Sequence, residues 1–357
     1  MARFVIKLGS AMASRDDVLA HVCAQAAARR AAGDDVVIVS SGAIARGLLV
    51  LDRPTRPTTI EELQAASAVG QGALFRLWHD ELEARGVAGA QVLLTSYDLS
   101  LRAHYLNARQ TLQTLLGWGV VPVVNENDTT ATEEISFGDN DFLAAQVAIL
   151  VGADLIVVLT DTEGVYTADP RLDARAELVH EVRDLAQLDT LAIGHNTGPM
   201  GTGGMRSKVV AAEIASAGGI ETVITTGLRP EALSGALAGG QEGTRFRAGA
   251  ARYSSFKLWL KYARPSAGAV RVDAGAARAL RDGGTSLLPV GVVGVDGDFD
   301  VGDAVDVMLD GDLVGKGIVN YSAGELRQVA GLKSAAVRAA LGRAGEEAVH
   351  RDYFVLA

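Results

Sequence analysis

A single cysteine, Cys23, in a chain of 357 residues leaves no intramolecular disulfide and no paired-cysteine metal knuckle, which fits a reducing compartment. Positive charge is also short. There are 33 Lys and Arg against 43 Asp and Glu, a formal net charge of −10. A chain of that sign is not built mainly to coat nucleic acid, although a local basic patch is compatible with it. Long apolar runs are missing as well. The longest tract, residues 142–160, is interrupted by Gln146, Gly152 and Asp154, so it reads as a buried helix, a turn and a buried strand rather than a membrane span. Near the start, Ala11-Met12-Ala13 imitates a signal-peptidase site. Lys7 nevertheless interrupts the apolar stretch that a secretory signal needs, and Phe4-Val5-Ile6 is too short to serve alone. These absences set the expectation of a cytoplasmic protein. With 48% hydrophobic and 21% charged residues, a largely disordered chain is excluded.

Lysine is the scarcest of the common charged residues. Only six of the 33 basic residues are lysine, and before Phe256 there are two, Lys7 and Lys208. A preference for arginine explains the scarcity but not where the survivors sit.

At roughly 150 residues per domain, the length suggests about two domains. Up to about Gly243, short β-branched runs alternate with longer Ala- and Leu-rich stretches. The pattern predicts strands at 3–8, 35–40, 90–95, 120–125, 154–159 and 221–225. Runs such as Val36-Val37-Ile38-Val39 are continuously apolar, as strands covered on both faces of a mostly parallel sheet must be. Helices are predicted at 16–32, 60–85, 98–117, 139–151 and 203–217, with Asp139 as an N-cap and Gly33, Gly117 and Gly218 as stops. The fold class that follows is α/β: a three-layer α/β/α sandwich, with ligands beyond the carboxyl ends of the strands. After Gly243 the composition changes. Residues 245–264 hold six basic side chains and no acid, interleaved with Phe246, Tyr253, Phe256, Trp259 and Tyr262. Short strands at 270–272, 287–293, 304–309 and 313–320 follow, closed by helices near 323–330 and 334–341. This is a small β-rich module of about 80 residues.

Five turns carry the chemistry. Lys7-Leu8-Gly9-Ser10 ends the first strand, where a glycine admits close backbone approach and a lysine supplies charge. Ser40-Ser41-Gly42-Ala43-Ile44 offers amides and hydroxyls to a carboxylate or phosphate. Asn125-Glu126-Asn127-Asp128 and Gly138-Asp139-Asn140-Asp141 together bring amides and carboxylates that could grip an ammonium group, orient a lysine or contact magnesium. Gly198 to Lys208, Gly-rich and running into a helix, looks like a phosphate cradle with a lysine one turn in. It is not a Walker A loop, and no dinucleotide fingerprint fits. The turn after Leu159, from Thr160 to Arg171 with Tyr166 within it, suits a base and ribose. The six histidines (His21, His79, His104, His180, His195 and His350) have no metal-ligand spacing in the sequence. No nucleophile-and-base pair presents itself. Two lysines at phosphate-type turns without a base suggest phosphoryl transfer to an acceptor that is already anionic, such as a carboxylate.

Taken together, Val5-Ile6-Lys7-Leu8-Gly9-Ser10, Ser41-Gly42-Ala43-Ile44-Ala45, Asn125-Glu126-Asn127-Asp128, Gly138-Asp139-Asn140-Asp141, Tyr166-Thr167-Ala168-Asp169-Pro170-Arg171 and Gly201-Thr202-Gly203-Gly204-Met205 make the chain resemble the amino acid kinase family, most closely its glutamate kinases. The lysine and Gly-rich turns are shared with relatives that act on acetylglutamate or aspartate, whereas the combination is more specific. Gly284-Thr285-Ser286-Leu287-Leu288-Pro289 and Gly315-Lys316-Gly317-Ile318-Val319-Asn320-Tyr321 resemble a PUA domain. The resemblance implies a kinase domain at 1–245, a linker at 246–267 and a PUA-like domain at 268–350. It implies catalytic roles for Lys7, Lys208 and Asp141, the lysines neutralising the transferred phosphoryl and Asp141 holding them. ATP would be bound by Lys7, Gly9, Ser10, Thr160, Asp161, Thr202, Gly203, Gly204, Met205, Arg206, Ser207 and Lys208, and glutamate by Ser41, Asp128 and Asn140. Also implied are Mg²⁺ with the ATP, a product of glutamyl 5-phosphate for proline synthesis, a homo-oligomer (dimer or tetramer) and feedback inhibition by proline. One departure is Ser10-Ala11, where the family has two hydroxyls. Two readings compete: another kinase of the family, acting on acetylglutamate, aspartate, carbamate or UMP, and an RNA-binding protein working through the PUA-like module.

Overall fold

The computed structural model describes residues 1–53, 55–130, 140–183, 204–249, 257, 259–342 and 347–357. The chain divides into two compact units, Met1–Tyr253 and Ser254–Ala357.

In the first unit, eight strands form one sheet: β1 (Arg3–Leu8), β2 (Asp35–Val39), β3 (Gly89–Leu94), β4 (Val121–Glu126), β5 (Leu155–Thr160), β6 (Glu181–Val182), β7 (Glu221–Thr226) and β8 (Thr244–Phe246). Their order is β3-β4-β2-β1-β5-β7-β8-β6. Pairing is parallel from β3 through β7, and antiparallel only between β7 and β8. β2 and β5 are buried at every position, which is why their apolar runs do not alternate. The expected mostly parallel sheet is therefore present. From β1 the chain builds one side through β2, β4 and β3, then returns to the other side at β5. The order reverses at β1, and the crevice beyond the carboxyl ends of β1, β2 and β5 is where such sheets take ligands.

The helices are α1 (Ser10–Ala13), α2 (Asp16–Ala31), α3 (Ala43–Val50), α4 (Ile60–Glu83), α5 (Ser96–Ser100), α6 (Arg102–Gly117), α7 (Asn140–Val151), α8 (Met205–Ala217) and α9 (Pro230–Leu237). The single helix predicted at 98–117 is two, broken at an extended Leu101. Thr95 and Asp98 cap the first of them reciprocally: the Asp98 carboxylate accepts from the Thr95 amide (2.8 Å) and hydroxyl (2.7 Å), and the Asp98 amide donates to Thr95 Oγ1 (3.0 Å), which starts that helix at Ser96. Side chains alternate across β1. Phe4, Ile6 and Leu8 enter a core with Leu19 and Val22 of α2, Leu74, Trp78 and Leu82 of α4, and Leu233 of α9. Lys7 must fall on the opposite face, where α7 and α8 pack side by side. Those two helices are rich in buried alanine (Ala144, Ala145 and Ala148; Ala211, Ala212 and Ala215), which lets their backbones come close.

α3 and α4 cross in direct contact. A Cβ added at Gly47 would lie 1.7 Å from the Ala66 carbonyl oxygen, and one at Gly70 would lie 1.9 Å from that of Ala43. Gly42, which starts α3, has φ +99°, a conformation that favours glycine.

The second unit holds a five-stranded sheet, β10-β9-β11-β12-β13, of β9 (Gly268–Val272), β10 (Val292–Gly297), β11 (Ala304–Leu309), β12 (Asp312–Val319) and β13 (Val349–Leu356). Only β9 and β11 run parallel. Around it lie α10 (Ala274–Gly283), α11 (Ala323–Val329), which starts with a capping box of Ser322 and Glu325, and α12 (Ser334–Leu341). The predicted strand at 287–293 begins only at Val292, because Pro289–Gly291 forms a 3-10 turn. Lys316 donates to the carbonyl oxygens of Arg264 (3.0 Å) and Lys261 (3.5 Å), and Ser266 donates to Asp306 (2.6 Å). The end of the expected linker is thus tied to this sheet. Among the described residues no helix is long and apolar enough to cross a membrane.

Candidate active site

At the carboxyl end of β1, the buried Lys7 points to the face where α7 and α8 begin. Asp141 lies in the first turn of α7 and Lys208 in the first turn of α8. Lys7 and Asp141 are each 0% exposed and Lys208 is 6% exposed. Asp141 pairs with Lys7 through Oδ1 and with Lys208 through Oδ2, the latter at 3.0 Å. Two ammonium groups share one carboxylate, leaving one net positive charge in a buried place. Burial works against the Asp141 charge, but the lysines outweigh it and hold the carboxyl well below the usual carboxylate range. The structure thus brings together the three residues expected to be catalytic. Beside them, Gly9 donates from its amide to the Leu159 carbonyl (3.3 Å). A Cβ on Gly9 would stand 4.0 Å from Lys7 Nζ and 3.7 Å from that carbonyl. The glycine leaves that space open next to the ammonium group.

The expected nucleotide residues lie along the same edge. Thr160 ends β5 and donates to Asp161 Oδ1 (3.1 Å). Gly204 caps α8 in extended conformation, Met205 and Arg206 open that helix, and Ser10 opens α1. Ser207 Oγ lies 2.8 Å from both Asp141 Oδ2 and the Gly204 carbonyl. Thr202 and Gly203 lie outside the described residues, as do Gly138, Asp139, His195 and Gly198 to Gly201. So do 250–256 and 258 of the basic, aromatic stretch.

The expected glutamate residues follow the ends of β2 and β4 and the start of α7. Ser41 Oγ and Asn140 Oδ1 are buried and have no hydrogen-bond partner among the described residues, a costly state unless a ligand completes them. Asp128 accepts from Ser67 Oγ at 2.5 Å. Burial pushes its carboxyl up from the ordinary value, against the Ser67 bond and the Arg56 charge. One turn further along α4, Gln71 accepts from Asn125 at 2.7 Å. The indole of buried Trp78 donates to Ser40 Oγ (3.0 Å), which lies 3.1 Å from the Ser41 carbonyl. Ser40 belongs to a turn already singled out in the sequence, whereas the three supports from α4, Ser67, Gln71 and Trp78, were not anticipated. Ser67 and Gln71 are four apart and share a helix face, the signal that could have found them.

Residues 2–226 match the amino acid kinase family, and residues 268–341 match the PUA domain. A glutamate 5-kinase of Meiothermus ruber is 48% identical over 360 residues, covering 99% of this chain and 96% of that protein. One of Caulobacter vibrioides is 46% identical over 365 residues, with 99% and 96% covered. This chain belongs to the amino acid kinase family, among its glutamate 5-kinases. A solved UMP kinase from Bacillus anthracis aligns at 18% identity and a TM-score of 0.48, covering 69% of this chain and 96% of that one.

As a member of a kinase family, the protein uses ATP, and the charge at its strand ends suits a triphosphate. Asp141 is already committed to two lysines. Among the described residues, the one grouping of three or more possible metal ligands is His79, Asp80 and Glu83, on the solvent-facing side of the last turns of α4. That spacing was not seen in the sequence. An amino acid kinase with this donor set would take its metal on the nucleotide phosphates, the usual habit of Mg²⁺.

Proposed function

We infer that this kinase transfers the γ-phosphoryl group of MgATP to the side-chain carboxylate of L-glutamate, giving ADP and L-glutamyl 5-phosphate. The observation that carries the chemistry is the buried Lys7–Asp141–Lys208 group, two cations on one anion at the switch point of a parallel sheet. The acceptor needs no general base, because a glutamate side chain with a pKa of about 4.3 is ionised at neutral pH. What it needs is relief from repulsion against the triphosphate. Lys7 and Lys208 supply fixed positive charge where the transferred group passes, and Asp141 keeps them oriented. Mg²⁺ arriving with ATP adds charge neutralisation on the phosphates. Gly9, Ser10, Thr160, Asp161 and Thr202 through Lys208 are the residues that would contact the nucleotide.

On the acceptor side, Asp128 takes the glutamate ammonium group, and Ser41 and Asn140 complete the contacts with their unpaired oxygens. The reaction belongs to proline synthesis in the cytoplasm, with proline as feedback inhibitor and a dimer or tetramer as the working form. The second unit carries twelve basic and thirteen acidic side chains over residues 254–357. It therefore lacks the cationic excess that binding to a phosphate backbone draws on, and the kinase reading stands ahead of an RNA role.

The test is ADP release with L-glutamate, N-acetylglutamate, aspartate, carbamate and UMP offered in turn. Release with glutamate alone is expected. Release with N-acetylglutamate and none with glutamate overturns the substrate assignment.

A further inference from the structure

The hydroxyl of Ser207 has a place in the charge group that its position in a nucleotide-lining turn does not explain. Asp141 has two oxygens. Oδ1 faces Lys7, while Oδ2 receives both Lys208 Nζ at 3.0 Å and Ser207 Oγ at 2.8 Å. The same Oγ is 2.8 Å from the Gly204 carbonyl. A serine hydroxyl has one proton to give, and a bond to a carboxylate is about twice as strong as one to a neutral carbonyl. The proton therefore belongs on Asp141. With only two lysines, one on each oxygen, the carboxylate could swing about its Cβ–Cγ bond and carry the ammonium groups with it. A third donor from the rigid first turn of α8 removes that freedom.

We propose that Ser207 is a positioning residue for phosphoryl transfer: its hydroxyl locks the Asp141 carboxylate, and through it the aim of Lys7 and Lys208 at the transferred group. This rests on the kinase reading above, and it differs from a nucleotide contact in a measurable way. A contact to ATP is felt in the KM for ATP. A lock on the lysines is felt in kcat, because the charge they neutralise is largest in the transition state.

Steady-state kinetics on the full chain would compare wild type with Ser207→Ala, Ser207→Thr and Ser207→Cys. Ser207→Ala lowers kcat by roughly tenfold or more, the scale of one lost hydrogen bond to a charged group, with both KM values within about threefold. Ser207→Thr keeps the hydroxyl and restores kcat to within about threefold. Ser207→Cys, with a weak donor of similar shape, behaves like alanine. Within an Asp141→Ala background the Ser207→Ala change costs less than about twofold, since its target is gone. A raised KM for ATP with kcat kept overturns the proposal, as does a threonine variant as slow as alanine. If Ser207→Ala does not fold, the threonine and cysteine pair still decides. Absence of glutamate-dependent ADP release in wild type would sink the kinase reading itself, a separate outcome.

Discussion

Two halves of one crevice are finished to different degrees. On the phosphoryl side the charge group is already assembled: Lys7 and Lys208 meet on Asp141, and Ser207 braces the carboxylate. On the acceptor side, Ser41 Oγ and Asn140 Oδ1 are buried without a hydrogen-bond partner among the described residues, and Asp128 keeps one strong donor, Ser67. The first half is preorganised before any ligand arrives, as electrostatic catalysis demands. In the proposed reading, the second leaves hydrogen-bonding capacity for the substrate to complete, which would select against molecules that lack matching groups.

The largest effect should come from breaking the finished half. Lys208→Ala should lower kcat by about 10²-fold, the scale of one lost electrostatic donor, while glutamate KM moves little. Asp141→Asn should do more. It leaves two buried ammonium groups without their anion, and loss of one partner from a buried pair costs about 3–5 kcal/mol of stability, visible as a lowered Tm. A Lys208→Ala enzyme with normal kcat would remove the charge group from the mechanism.

The acceptor half is broken through binding. Asp128→Asn should raise the glutamate KM by about 10-fold to 100-fold, since a hydrogen bond to a charged group is lost, with kcat less affected. The two aspartates also give opposite pH signatures. Asp141 is held low, so the stability it contributes is present above the ordinary carboxylate value and lost as pH falls through the lowered one. Asp128 is held high by burial, so the folded protein keeps a proton that the unfolded chain has released. Its stability contribution declines as pH rises from the ordinary value through the raised one. Glutamate KM should therefore climb on acidification through the Asp128 transition, and Asp128→Asn should abolish that limb. A limb that survives in the variant would assign it to another group.

The smallest effect sharpens the comparison from behind. Ser67→Ala frees Asp128 without removing its charge, so glutamate KM should rise only by roughly threefold to tenfold and kcat should stay. Equal losses in kcat and KM would mean that α4 supports both halves.

How much of this was visible in the amino-acid order differs between the same regions. Lys7 could be placed because an apolar run feeds straight into a Gly turn, and strand periodicity then assigns its face. Asp141 and Lys208 each open a helix after a polar turn, a local pattern. That all three meet is long-range information: Lys7 and Asp141 are 134 positions apart. Ser67, Gln71 and Trp78 stayed hidden for a related reason. A polar residue on an amphipathic helix reads as surface until the strand turn opposite it is known, and those turns are 54 and 61 residues away. In the second unit, β13 was missed because His350-Arg351-Asp352 interrupt its apolar residues, as suits a sheet edge. The Ala- and Arg-rich α10 was missed although its apolar and basic residues fall on opposite faces and Asp273 caps it, accepting from the Ala276 amide at 2.7 Å; its low overall apolar content hid it.

The crossing of α3 and α4 sets a boundary on how this protein can change. With carbonyl oxygens 1.7 and 1.9 Å from where methyl groups would sit, neither Gly47 nor Gly70 can accept even alanine unless both helices part. In a saturation library these two codons should be as barren as the lysines, though neither glycine carries a reactive group. α3 leaves directly from Ser41 and Gly42, and α4 carries Ser67 and Gln71, so parting the helices would move the acceptor pocket as one piece. New acceptor preferences would then have to be sought in side chains facing the crevice, never by sliding its wall.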